Sequence, residues 1–493
     1  MRATIVLALL GSVTAATHEV PANVSIFNAI HSSMRQWGSS VYHNGMSFFL
    51  ASVPAGTLLY HGRQGKEPVA GTEWLAFEPE HSLVFAGRRP GPPPHGGKPR
   101  DADAQKPLTS KADKDEGGYL HTYAAVRDLR LLYLDGMSAG KTQNGTLDSG
   151  DRILLNDTVG KGNIMDERKR AQGLCQLMRE KWNDRLDGVI RMEAGFEIIL
   201  CSFERDLEFL HAIHVQPRGN TPPHKQPGKD HGHPSGGSWL QAVASRYHGI
   251  GGERVRVNYN HFVTVFTRDL DIFGGESRAY RPRLQHLTSE SLDPVRQEVT
   301  DLVLTHDTNE RSFNWQAVTD MIVTRFSHTL KYMASGPGEE RFYEELTQLL
   351  SPFIDYGTRD LALETARCTS QSIPLHAPKQ GTAALAVRSI AQDVCQTLLQ
   401  AVDVDYKQAV HKVRDLVKYL AWTTWKECTG CKDNEVCTIP IWPMGTEQDY
   451  EHPTCRDIKD ADSGVSYWGQ RHGPGPGPGP GPGPGHKPGK GPN

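Results

Sequence analysis

The sequence lacks a long apolar run beyond its first residues, and it lacks an excess of charge of either sign. No later stretch approaches the about 18 uncharged apolar residues that a transmembrane helix needs. The 54 Lys and Arg residues nearly balance the 57 Asp and Glu residues, leaving a formal net charge of −3. So small a charge produces no long-range field that would attract a polyanion. We therefore expect no membrane span and no nucleic-acid partner.

Two catalytic signatures are also missing or incomplete. A His-Glu-x-x-His zinc helix does not occur, which disfavours the common secreted metalloproteases. Residues 135–142 follow an apolar run and end in Gly-Lys-Thr, but Asp135 stands where a phosphate-binding loop has its first glycine, and its charge would repel phosphate. A nucleoside-triphosphatase is therefore not the favoured interpretation.

The N-terminus has the layout of a secretory signal peptide. Met1-Arg2 is followed by the apolar run 5–10 and by small residues at Ala15 and Ala16, which predicts cleavage near that point. Three Asn-x-Ser/Thr sequons, at Asn23, Asn144 and Asn156, are compatible with export and glycosylation. We predict a secreted glycoprotein.

Eight cysteines are an even number, and an oxidising compartment favours disulfides. Connectivity stays open at this stage. Cys428, Cys431, Cys437 and Cys455 could also be a metal site, but structural zinc sites usually show two tight pairs, and here the second pair is widely spread. Disulfides are the favoured interpretation, and no metal ligand is predicted.

The predicted fold class is α+β, with a mixed α/β N-terminal domain, a mainly helical C-terminal subdomain and a small Cys-rich patch. One helix is expected within 23–50, then strands at 129–134, 187–192, 196–203 and 254–266, with a helix at 167–182 between them. Asp293-Pro294 and Ser351-Pro352 are predicted helix starts. The predicted segments are a signal peptide 1–16, a mixed domain 17–285 with disordered insertions at 88–118 and 214–237, a helical subdomain 286–427, a Cys-rich segment 428–460 and a Gly-Pro tail 461–493.

Three segments of the first domain carry the functional prediction. Tyr60-His61-Gly62 ends one predicted strand, Trp74-Leu-Ala-Phe77 forms a second strand before a short helix, and Phe196-Glu197-Ile-Ile-Leu forms a third. This trio resembles the core of the ADP-ribosyltransferase family, in which the first strand offers an Arg or His beside a Gly, the second an aromatic residue or Ser, and the third a Glu. The resemblance is confined to residues 58–203.

The resemblance implies NAD as substrate and a role for each residue. Glu197 would be the catalytic carboxylate, His61 would bind the ribose of NAD, and Gly62 would offer backbone groups to the carboxamide. The second strand has no Tyr, so that Trp74, Phe77 or Phe85 would stack on the nicotinamide ring. All of these side chains would have to face one common pocket.

Three other interpretations remain open. Glu193 and Glu197 could be the acid and base of a secreted glycoside hydrolase, and His231-x-His233 could chelate a metal, although a flexible loop gives no fixed geometry. The same domain could also be a non-catalytic binding or structural scaffold. The leading hypothesis is an NAD-dependent ADP-ribosyltransferase or NAD glycohydrolase, whose partner is a nucleotide or an extracellular protein.

Overall fold

A computed structural model describes residues 22–86, 118–159, 164–215, 236–274, 281–458, 460 and 467–468. The predicted signal peptide, most of both predicted insertions and most of the predicted tail lie outside these residues. Among the helices in the described ranges, none has the length and apolar character needed to cross a bilayer. Two residues of the predicted tail, Tyr467 and Trp468, are described and are buried against His43. The prediction of an unpacked tail from residue 461 is therefore wrong at these two aromatic residues, which bury apolar surface.

Nine strands form one mixed sheet in the N-terminal half. They are β1 Asn44–Val53, β2 Leu58–Arg63, β3 Glu73–Ala76, β4 Tyr119–Ala125, β5 Leu129–Gly136, β6 Gly188–Met192, β7 Phe196–Leu200, β8 Leu207–His214 and β9 Arg256–Thr264. Their order is β8-β4-β2-β3-β7-β6-β5-β1-β9. β5 and β6 are parallel, and the other neighbours are antiparallel.

Helices flank the sheet and make up most of the C-terminal half. They are α1 Ala22–Ser32, α2 Gln36–Val41, α3 Pro79–Ala86, α4 Glu167–Glu180, α5 Phe203–Asp206, α6 Gly236–Ala244, α7 Asp293–Thr305, α8 Trp315–Ser335, α9 Glu339–Leu350, α10 Leu361–Ser370, α11 Thr382–Ala401, α12 Tyr406–Leu420 and α13 Glu447–Glu451. A two-stranded hairpin, β10 Glu435–Thr438 and β11 Thr454–Asp457, completes the fold. The predicted α+β class is confirmed.

The helix predicted within 23–50 is present as α1, but the sequence prediction lacks β1 and misplaces one helix start. All ten residues of β1 are buried, because both faces of the sheet are covered, and the strand therefore shows no alternation. The predicted helix start at Ser351-Pro352 follows the end of α9, where proline is also common. α10 begins later, after Asp360, whose side chain accepts hydrogen bonds from two backbone amides of the first turn. The start at Asp293-Pro294 is confirmed.

The two faces of the sheet pack against different helices. On one face, Phe49 and Tyr133 join a cluster that contains Phe27 of α1, Ile390 of α11 and Val413 of α12. On the other face, β-strand residues join Leu174 and Met178 of α4 and Val299 of α7. The C-terminal helices thus share a continuous core with the sheet.

All eight cysteines form disulfides. The pairs are Cys175–Cys201, Cys368–Cys395, Cys428–Cys437 and Cys431–Cys455. The predicted preference for disulfides in the 428–455 segment is compatible with this arrangement, in which each of those sulfur atoms lies at bonding distance from another. Cys437 and Cys455 lie opposite each other in the register of β10 and β11, although each is bonded to a different cysteine.

Candidate active site

The sheet order brings the three strands of the predicted trio together. β2, β3 and β7, which carry His61, Trp74 and Glu197, are consecutive neighbours in the sheet. Their segments are far apart in the sequence, and β4 to β6 lie between the second and the third. The tertiary structure thus gives this trio a shared location.

The register, however, divides the predicted residues between two faces of the sheet. Tyr60 pairs with Ala76, and Ala76 pairs with Glu197, and directly paired residues share a face. Successive strand residues alternate in direction, so that His61 points to the face opposite Glu197. Trp74 belongs to the cluster on the Glu197 face, whereas Phe77 belongs to the core on the other side.

His61 is held between two strands. Its Nδ1 donates a hydrogen bond to the carbonyl oxygen of Trp74 at 2.9 Å, and its ring centroid lies 5.1 Å from that of Trp74. β2 and β3 are paired only at Tyr60 and Ala76, so the imidazole links the strands beyond that pair. Burial lowers the pKa of His61 to about 3, which keeps the ring neutral. The geometry suits a structural contact better than a bond to a ribose.

Gly62 lies against the backbone of α3. A Cβ at this position would collide with the carbonyl oxygen of Ser82, and the Ser82 hydroxyl donates to the carbonyl oxygen of Tyr60 at 2.8 Å. The residue therefore permits a close approach of helix to strand. Its surroundings leave no room there for a carboxamide.

Glu197 belongs to a buried charged cluster, which consists of Lys141, Glu167, Arg191, Glu193 and Glu197. Lys141 Nζ lies 2.6 Å from Glu193 Oε2 and 3.5 Å from Glu167 Oε2. Arg191 Nη2 lies 2.9 Å from Glu197 Oε1 and also contacts Glu167 Oε1. Each of the five side chains is at most 6% exposed.

The cluster contains three carboxyl groups and two cations. Burial raises the pKa of Glu193 to about 8 despite the attraction of Lys141, and burial also raises the pKa of Glu197 against the attraction of Arg191. Burial likewise favours the neutral form of Glu167, but Arg191, Lys141 and Arg170 outweigh it and lower the pKa to about 2. Glu167 is thus ionised, and near neutral pH the pair Glu193 and Glu197 retains a proton.

Local structure explains how these residues meet. Glu167 is in the first turn of α4, where a carboxylate is favoured by the helix dipole, and Asp166 caps that helix. Glu193 lies in the turn between β6 and β7, and Arg191 pairs directly with Glu197 across those strands. Lys141, Glu167 and Arg191 carry no functional signal in the sequence, because a first-turn acid and strand or loop cations are ordinary features of a fold.

Several buried polar atoms at this face have no hydrogen-bond partner among the described residues. They include Trp74 Nε1, Glu193 Oε1 and Glu197 Oε2. Each such atom costs roughly 1–3 kcal/mol when it is removed from water and left unbonded. Unbonded donors and acceptors at a buried cluster are typical of functional sites, because they can serve a ligand or a reacting group.

A second serine-containing pattern in this region does not form a nucleophile site. Gly136-Met137-Ser138-Ala139-Gly140 has the spacing of a nucleophile elbow and begins at the last residue of β5. The structure places no helix directly after it, Ser138 is 1% exposed, and its hydroxyl donates to the carbonyl oxygen of Leu134 at 2.9 Å. Ser138 is therefore a structural residue of the turn that follows β5.

An open cleft of about 500 Å³ lies two strands away from Glu197. Tyr60, Arg254 and Arg256 line it, together with the turn at 54–57. Tyr60 shares the face of Glu197 through the paired residue Ala76, and two strand spacings amount to about 10 Å. Arg254 is paired with Glu78 at 2.9 Å and Arg256 with Glu253 at 3.6 Å, so an anionic ligand would compete with these carboxylates for the guanidinium groups.

Comparisons with known proteins place the cluster within a region of similarity. A family model described as the YPL277C N-terminal domain matches residues 18–113 and 93–238. The uncharacterised Saccharomyces cerevisiae proteins YOR389W and YPL277C are 35% and 36% identical to this chain over 211 and 209 residues, which is 37% of this chain in each case.

The similarity covers part of those relatives as well. The matched region spans 32% of YOR389W and 41% of YPL277C, and no solved structure matches this chain. All five residues of the charged cluster lie within the range that the family model matches.

Proposed function

We propose that this protein cleaves the bond between nicotinamide and ribose in NAD, and transfers ADP-ribose to water or to a side chain of an extracellular protein. Glu197 is the carboxylate that stabilises the reacting ribose. The observation that carries the proposal is that Glu197 is fully buried, is oriented by Arg191 through Oε1, and has Oε2 without a partner among the described residues.

The chemistry matches this arrangement. The bond electrons leave with nicotinamide, and positive charge develops on the ribose, which a fixed carboxylate stabilises strongly in a dry site. Water or an acceptor side chain then forms the new bond to the ribose carbon and gives its proton to a carboxylate of the cluster. Glu193 and Glu197 share the burial that raises both pKa values, and this makes them suited to hold that proton.

The proposal assigns further residues to parts of NAD. Arg254 and Arg256 would bind the diphosphate at the open cleft by exchanging their pairs with Glu78 and Glu253, and the indole N–H of Trp74 faces the same side of the sheet as Glu197. Gly62 and Phe77 do not offer contacts there, because α3 covers Gly62 and Phe77 is part of the opposite core. In this proposal His61 positions β3 and does not contact the substrate.

The test is nicotinamide release from NAD by the purified full chain. We expect Glu197→Gln to reduce the rate at least about 100-fold, the size expected for loss of one preorganised electrostatic group. The matched control is Glu364→Gln, because Glu364 is also fully buried, with one oxygen 2.8 Å from Arg359 and the other unpaired in the described structure. A folded Glu197→Gln protein with unchanged release, or a wild-type protein with none, would refute the proposal.

A second candidate is a non-catalytic scaffold, which the complete burial of His61, Trp74 and Glu197 favours. The same experiment separates it from the enzyme, since a scaffold releases no nicotinamide. Oligosaccharides in parallel reactions test the glycoside hydrolase alternative, in which Glu193 would be the acid and Glu197 the second carboxylate.

A further inference from the structure

Two histidines and a glutamate converge at the edge of the sheet, far from the charged cluster in the fold. His261 is on β9, His306 directly follows α7, and Glu310 is in the connection to α8. One ligand atom from each of the three lies within 4.8 Å of the others. The sequence analysis predicted no metal ligand here, because His261 and the other two residues belong to different elements.

The distances between the ligand atoms suit a single small cation. His261 Nε2 lies 3.7 Å and His306 Nδ1 lies 3.4 Å from Glu310 Oε2. In a tetrahedral zinc site with bonds of about 2.0–2.1 Å, neighbouring ligand atoms are about 3.4 Å apart. The two distances to Glu310 Oε2 are therefore close to those between atoms that share one zinc ion.

Neighbouring bonds hold each of the three residues in place. The second oxygen of Glu310, Oε1, accepts a hydrogen bond from the Asp307 amide at 2.9 Å, which leaves Oε2 directed at the imidazoles. Arg185 donates to the carbonyl oxygen of His306 at 2.9 Å, and Asn258 accepts from the amide of His261 at 3.1 Å. The contact of Glu310 orients a ligand side chain, whereas the other two fix the backbone positions from which the imidazoles extend.

The two imidazole rings are stacked, with centroids 3.8 Å apart and planes at 15°. The lone pairs of stacked rings lie side by side, so binding of one cation by both rings requires one ring to rotate out of the stack. The three side chains are 32–40% exposed, so that a cation has an access route and water can complete its coordination.

We propose that His261, His306 and Glu310 form a binding site for a divalent transition metal of the zinc class, with water as the fourth ligand. Two imidazoles and a carboxylate favour this class over calcium or magnesium, which prefer oxygen ligands. The metal would connect the edge strand β9 to the junction of α7 and α8. Bound metal would therefore stabilise the attachment of the sheet to the helical half.

The experiment is titration of the tag-free, chelator-treated full chain with Zn²⁺ by calorimetry, combined with thermal unfolding with and without Zn²⁺. We expect one strong site per chain and a higher unfolding temperature in the presence of Zn²⁺. His261→Gln and Glu310→Gln should each weaken binding by at least about 100-fold, since loss of even an outer contact costs 10–100-fold. Co²⁺ in place of Zn²⁺ should give the visible absorption of a tetrahedral site.

Two controls separate this site from other histidines. His411→Gln removes an exposed histidine that lies 2.9 Å from the carboxylate of Asp415, and should leave binding unchanged. A variant with His231→Gln and His233→Gln tests the chelating pattern noted in the sequence, and should also bind normally. The proposal is overturned if the wild-type chain binds no Zn²⁺ strongly, or if the His261 and Glu310 variants bind it as the wild type does.

Discussion

Glu193 and Lys141 are in contact at 2.6 Å, yet burial raises the pKa of the carboxyl group to about 8. At the scale of single residues, this shows that a charged partner need not keep a buried acid ionised when two further carboxyl groups lie nearby. The cluster has three carboxyl groups but only two cations, and one carboxyl group therefore keeps its proton near neutral pH.

The retained proton makes stability depend on pH. Between the ordinary pKa of a glutamate and about 8, the folded state binds one proton more than the unfolded state at Glu193, so this group's contribution falls by about 1.4 kcal/mol per pH unit as pH rises. We predict that Glu193→Gln removes this part of the slope. Urea unfolding from pH 6 to 8 measures it, with the exposed Glu253→Gln as the control. Equal slopes in all three proteins would contradict the assignment.

Arg191 provides a second prediction at the same scale. Arg191→Met would leave Glu167 and Glu197 buried with one cation fewer, and breaking a buried ionic network in this way costs about 3–5 kcal/mol. The control is Arg341→Met, whose pair with Glu344 at 2.9 Å is exposed and contributes about 0–1 kcal/mol. Denaturant unfolding compares the two variants, and a similar effect at both positions would argue against a tightly coupled cluster.

At the scale of elements, α11 shows how one helix is divided between core and solvent. Leu398 is fully buried in the shared core, whereas Leu385, on the same helix, is 55% exposed. We predict that Leu398→Ala lowers the free energy of unfolding by about 2–5 kcal/mol, through lost burial and the cavity that remains. Leu385→Ala should change it by less than about 0.5 kcal/mol. Calorimetry measures the free energy of unfolding of both variants, and similar losses at the two positions would contradict the prediction.

At the scale of the whole molecule, buried histidines and buried carboxyl groups make stability depend on pH in opposite directions. Burial lowers the pKa of His31 to about 4 and those of His43 and His61 to about 3, so the unfolded chain binds these three protons first as pH falls below 6.5. Burial raises the pKa of Asp135 to about 7 and that of Glu193 to about 8, so the folded chain binds two protons first.

These opposing groups give a definite expectation. Above pH 6.5 the histidines are largely neutral in both states, so the raised carboxyl groups make stability fall as pH rises; below pH 6.5 the histidines oppose them. We predict a fall in stability from pH 6.5 to 8 that becomes weaker or reverses below pH 6.5. Unfolding temperatures measured from pH 4 to 9 test this, and an equally steep slope on both sides of pH 6.5 would show that the histidines are accessible to protons in the folded state.

Most helices and strands whose apolar residues recur at a regular spacing could be predicted from the sequence. The prediction failed where a strand is buried on both faces, because apolar residues then no longer alternate with polar ones. α4, α8 and α12 have apolar residues at helical spacing, and β9 was predicted from its alternation. β1 is buried on both sides and therefore carries no alternating pattern. The site was found in part, because Glu197 and Glu193 were named from local motifs, whereas Lys141, Glu167 and Arg191 join them only through the fold.

The sequence by itself determined the α+β class, the disulfide character of the Cys428 segment and the strands that carry His61, Trp74 and Glu197, because each depends on local composition or on a period of two or 3.6 residues. The tertiary structure alone decided the strand order, the faces to which those residues point and the partners of Glu197. Register is set by pairing between distant segments, and a shift by one residue reverses the face of a side chain. The residues of one strand alone do not determine which residues of a distant strand will lie beside them.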